Sequence, residues 1–147
     1  MPGNHIIGRF LALEASKKAL VIEAALALAA ATAAIQFLPF RRAFQLGARP
    51  LGTSQSPDIR EIVWAIEAAA AHLPWKTMCF QKGLALQVLL RRRGVEAKLH
   101  YGVGYDPERA LCAHVWVSAE GNIVIGGEEA PKFRLLASMP PGARESS

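Results

Sequence analysis

Apolar residues fill positions 19–40, ALVIEAALALAAATAAIQFLPF, and Glu23 is the one charge inside the run. The pattern predicts a helix that ends before Pro39, because proline disfavours helical geometry in the residue ahead of it. Such a run is long enough to raise the question of a membrane span. Glu23, the weak hydropathy of alanine and the lack of an orienting asymmetry between Lys17 and Lys18 at one end and Arg41 and Arg42 at the other favour a buried helix instead. The polar stretch GARPLGTSQS, Gly47 to Ser56, then reads as a loop.

A second helix follows by local rules. Ser56 is placed to cap it, Pro57 suits its first turn, and Asp58 and Glu61 favour the positive end of its dipole. Ile59, Ile62, Val63, Ile66 and Ala70 recur on one face, with Trp64 and Glu67 off it. Pro74 stops this helix near Leu73. A short connection from Trp75 leads into a third helix carrying Leu84, Val88 and Leu89, which Gly94 can end with a left-handed cap after Arg91, Arg92 and Arg93.

Beyond Gly94 the period changes to two. Val95, Ala97, Leu99, Tyr101 and Val103 fall on one side of a strand, and His100 points opposite to Leu99. Asp106 and Pro107 open a loop. Ala113, Val115 and Val117 then alternate with His114 and Trp116, and Glu120 with Gly121 makes a tight turn into Asn122 to Ile125. The final MPPGARESS reads as a frayed tail. These elements predict an α+β fold in one domain: a helical N-terminal region, 1–55, packed on a core, 56–138, with a tail, 139–147.

Composition changes this picture little. The 147 residues suffice for one core and one site, and 52% apolar with 20% charged content describes a globular chain. A net charge of +5 could draw nucleic acid, but the cations are dispersed apart from Arg91 to Arg93 and no aromatic stacking platform accompanies them. Nucleic acid is not an expected partner. Two cysteines, and no signal sequence at Met1, point to a reducing cytoplasm rather than a disulfide scaffold.

The chemistry centres on Cys79 and His114. A thiol must become a thiolate to attack, and a place in the first turn of a helix, with an imidazolium nearby, stabilises that anion. A thiol opening a helix and an imidazole on a following strand have the layout of a papain-like or transglutaminase-like cysteine hydrolase. In such a site His114 would pair with the thiolate, protonate the leaving amine and then act as base toward water, while the Cys79 backbone N–H would supply one oxyanion donor. Plain packing competes with both assignments and fits Cys112 best. His5, His72 and His100 are weaker partners for the thiol. No metal is expected, since CxxC, HxxH and HExxH spacings are all missing.

The series PWKTMCFQKGLALQVLLRRRGVEAKLHYGVGYD followed by AHVWVSAEGNIVIGG resembles the transglutaminase-like leader peptidase of lasso peptide biosynthesis, in its stand-alone form, over roughly Pro74 to Leu136. The resemblance implies a cysteine peptidase that removes the leader from a ribosomally made precursor before macrolactam formation. It also implies three partners: the precursor peptide, a separate leader-recognition protein and an ATP-dependent lasso cyclase. No cofactor is implied. Cys79 matches the family nucleophile and His114 its general acid/base. The third member, usually an aspartate on the next strand, has no match, because Gly126 or Gly127 falls across from His114. Glu128 is the nearest substitute, with Glu129 and Asp106 behind it; a backbone carbonyl or amide that fixes the tautomer of His114 and leaves a dyad, or a site that stays slow until partners complete it, are further arrangements. A noncatalytic peptide-binding or scaffold protein of the same fold is the alternative function.

Overall fold

A computed structural model describes residues 15–47, 58–74, 79–108 and 110–140. Helix α1 spans Ala15–Phe37 and stops two residues before Pro39, as expected. A short helix that the sequence did not announce, α2 (Phe40–Gln45), starts directly after that proline. Ala24, Leu28 and Ala31 of α1 are buried in the core, and α1 packs on the two long helices that follow. The Thr32 hydroxyl donates to the Leu28 carbonyl and accepts from Gln81, which ties α1 to the third long helix.

Helix α3 (Ile59–His72) is capped by Asp58, whose Oδ1 accepts from the backbone N–H groups of Arg60 and Glu61. The expected cap, Ser56, and Pro57 lie outside the described residues. Asp58 thus takes the capping role expected of Ser56, and its carboxylate also complements the helix dipole. Ile62, Ala65, Ile66 and Ala69 are buried, Ile59, Val63 and Ala70 pack beside them, and Trp64 and Glu67 are exposed.

Helix α4 (Cys79–Arg92) touches α1 and α3, and its buried residues run from Gly83 through Gln87 and on to Leu89, Leu90 and Arg91. Gly94, φ +80°, closes its C-terminus, and the Val95 N–H reaches back to the Leu90 carbonyl in the six-to-one bond of a Schellman cap. Among the described residues four antiparallel strands follow: β1 (Ala97–Tyr105), β2 (Leu111–Ala119), β3 (Asn122–Ile125) and β4 (Arg134–Met139). Their order across the sheet is β3-β2-β1-β4. Glu120 and Gly121 both have positive φ, 53° and 82°, as a two-residue hairpin turn requires.

Strand β4 is a correction to the sequence reading, which began the tail at Met139. Met139 is instead paired with Leu99, at the far edge of the sheet. To reach that edge the chain leaves β3, crosses the sheet through a 3-10 turn at Ala130–Lys132, and enters β4. The core lies on the other face, where α4 meets β1 and β2. A Cβ placed on Gly83 would stand 2.9 Å from both Leu99 Cδ1 and Val115 Cγ1, so this glycine sets how closely helix and sheet approach. Gln87, fully buried in α4, donates through Nε2 to the carbonyls of Ala97 at 3.2 Å and Met139 at 2.6 Å, which joins the helix to the sheet by hydrogen bonds.

Candidate active site

Cys79 is the first described residue of α4, a free and half-buried thiol packed against the hydrophobic core. Its helix neighbour Phe80 belongs to an aromatic group with Phe40 and Phe44 of α2. Phe40 also lies 5.0 Å, ring to ring, from Tyr101 of β1. These rings fill the helix side of the sheet at the end where α4 begins.

His114 sits on β2 opposite Gly102. Strand side chains alternate between faces, and Val115 and Val117 are the ones that approach Gly83 of α4. The His114 ring therefore projects from the opposite face. There it stands in a row of stacked rings: His100 and Trp116 at 5.8 Å, Trp116 and His114 at 5.9 Å, His114 and Phe133 at 5.0 Å. Gly102 and Gly104 leave the room this row needs, since a Cβ on Gly102 would stand 2.8 Å from Trp116 Cη2 and one on Gly104 3.1 Å from Phe133 Cδ1.

The expected pairing of Cys79 with His114 is thus not formed in this structure. The sheet lies between them, and among the described residues no hydrogen bond joins the two. The physical reason is the burial of β2: Val115 and Val117 claim the helix side, and a period of two sends His114 outward.

The hydrogen-bond partner of the His114 ring is the backbone and not Glu128. His114 Nε2 lies 2.9 Å from the Gly126 carbonyl oxygen. A carbonyl only accepts, so Nε2 carries the proton and, in the neutral ring, Nδ1 keeps the lone pair. Gly126 occupies the place where the carboxylate was sought, with φ +77° and no space for a side chain: a Cβ there would come 3.2 Å from His114 Nε2 and 2.9 Å from the Val115 carbonyl. Glu128 is exposed and makes none of the hydrogen bonds to His114. Glu129 pairs with Lys132 at 3.1 Å, and Asp106 accepts from the Ala110 N–H at 2.8 Å.

A family model described as transglutaminase-like superfamily matches residues 22–138. The chain belongs to the transglutaminase-like superfamily. The match begins inside α1, so this transglutaminase-like domain takes in most of the first helix together with the sheet. No curated protein and no solved structure gives a significant match. The α+β architecture expected from the sequence agrees with this superfamily.

The same outer face holds a group that sequence reasoning passed over. His100 lies between two hydroxyls, with Nδ1 2.7 Å from Ser138 Oγ and Nε2 2.7 Å from Ser118 Oγ. Its outward direction was legible from the alternation. Its partners were not, since Ser138 belongs to the unforeseen β4. Among the described residues no three histidine, cysteine or carboxylate side chains gather as metal ligands would.

Proposed function

We propose that this transglutaminase-like protein is a cysteine peptidase that cleaves the leader from a lasso peptide precursor in the cytoplasm, working with a separate leader-recognition protein and ahead of a lasso cyclase. The superfamily includes cysteine peptidases, and the motif series around Cys79 and His114 resembles the leader peptidases among them. The observation that carries the reading is the thiol itself: Cys79 stands at the start of the described part of α4, on the side of the domain where that helix packs on the sheet, and a helix N-terminus suits an oxyanion.

His114 serves that thiol only after a local change at the start of β2. The start of β2 has one strand neighbour, β1, since β3 joins β2 only from Val117 on. We assign the change to assembly with the precursor and the leader-recognition protein. The chain alone should cleave little, and the reconstituted mixture should cleave well.

A second reading, a noncatalytic peptide-binding or scaffold protein of the same fold, is favoured by one observation: the outward direction of His114. Reconstituted cleavage of the precursor separates the two. Under the peptidase reading Cys79→Ala and His114→Ala each abolish cleavage while leader binding persists. Cleavage that survives Cys79→Ala assigns the peptidase role to another component.

A further inference from the structure

We propose that α1 lies flat on an anionic membrane surface. Its outward positions include Ile22, Leu26, Ala30, Ala33 and Phe37, and Gln36 is the one polar residue among them between Ala19 and Phe37. Leu26 is 67% exposed and Phe37 81%. Phe40 of α2, just past Pro39, is half exposed as well. A helix of this length reaches about 35 Å, long for an apolar face left in water on a small domain.

The charges say what covers it. Lys17 and Lys18 stand at one end of the stripe and the exposed Arg41 and Arg42 at the other. The carboxylate within α1, Glu23, is turned inward and held by Arg93 and Arg92, so it does not repel an anionic partner. Asp58 and Glu61, with Arg60, line a surface pocket with Lys17, and Asp58 is engaged in capping α3. Self-association is disfavoured in either orientation: an antiparallel copy would bring Arg41 and Arg42 to Lys17 and Lys18, and a parallel one would bring like ends together. An apolar stripe with cations at both ends suits a bilayer that carries anionic headgroups, with the apolar side chains at the acyl boundary and the cations among phosphates.

The helix is long and apolar enough to span a membrane by composition. Its other face, however, is built into the core through Ala24, Leu28 and Ala31, so it stays with the domain and lies in the plane of the surface. This inference stands apart from the peptidase reading and would hold for a noncatalytic protein too.

The test is sedimentation of the full chain with vesicles of phosphatidylcholine alone or mixed with phosphatidylglycerol. The mixed vesicles should carry the protein down and release it in high salt, and neutral vesicles should leave it in solution. Ile22→Glu with Leu26→Glu should abolish binding, and Arg41→Glu with Arg42→Glu should weaken it by roughly tenfold or more; both pairs are exposed, and thermal melting followed by circular dichroism checks that each variant folds. Four results would each overturn the proposal: no sedimentation, equal sedimentation with neutral vesicles, retention in high salt, or a concentration-dependent dimer that Ile22→Glu with Leu26→Glu dissolves while vesicles are ignored.

Discussion

The imidazole of His114 gives its Nε2 proton to the Gly126 carbonyl across 2.9 Å, in the position where a carboxylate side chain would ordinarily orient such a ring. The backbone can do this only because Gly126 has φ +77° and no Cβ. Gly126→Ala should therefore cost about 2 kcal/mol or more, from a left-handed conformation that disfavours side chains and from contact with the Val115 carbonyl. Gly126→Asp should be no better, adding a carboxylate but losing the fold around the ring. Urea denaturation of both variants checks the cost, and a Gly126→Asp chain of native stability with faster cleavage would remove the carbonyl from its role.

Glu128→Gln should leave precursor cleavage unchanged within about twofold. Its side chain is exposed and the ring nitrogen it was expected to orient is already committed to Gly126. A large fall in turnover, measured in the reconstituted mixture, would restore Glu128 to the mechanism.

Arg93 grips Glu23 with two nitrogens, Nη1 at 2.9 Å and Nη2 at 2.5 Å, and links α1 to the end of α4. The hydrogen bond to Arg93 holds the Glu23 carboxyl below the usual carboxylate range; partial burial opposes this, and the charges of Arg93 and Arg92 add to it. A carboxyl depressed in the folded state stabilises above its unfolded pKa, and that contribution is lost as pH falls through the folded value. Glu23→Gln should then cost about 1 kcal/mol at neutral pH, and the gap between variant and parent should close in acid. Denaturation midpoints compared at neutral pH and below the carboxylate range test the sign.

Gly83→Ala pits two effects against each other. Alanine improves helix propensity by about 1 kcal/mol, but its methyl would stand 2.9 Å from buried Leu99 and Val115 atoms. Val115 is branched at Cβ and has little freedom to yield. The net change should be destabilising by about 1–2 kcal/mol, and a thermal melt that rises instead would show that the sheet gives way easily.

Much of this architecture could be read from the chain, and for physical reasons. Alternation in 95–103 and 113–117 identified β1 and β2, the Glu120-Gly121 pair marked their hairpin partner, and Gly94 after three arginines marked the end of α4. Strand β4 was not legible, because RLLASM lacks clean alternation and its pairing with β1 is a distant tertiary choice. The site was half legible. Placing the thiol in a helix after the Pro74 break needed only the pattern that follows; a glycine beyond the turn and near His114 was in view, but the register shift between Val117 and Ser118 offsets a simple count from the turn. The facing of His114 was also present in the sequence, in the same alternation that put Val115 and Val117 together. If those valines meet the helix, the histidine does not, and a local rule of period two outweighs an expectation carried by resemblance.

The strand order β3-β2-β1-β4 places the last strand beside the first. During synthesis, α1, α3 and α4 can settle against one another early, yet the edge of β1 stays bare and Gln87 lacks its Met139 acceptor until the far strand has left the ribosome. A nascent chain halted after the hairpin would thus hold a finished helical half and an open seam, where an unfinished copy could mispair with its neighbour.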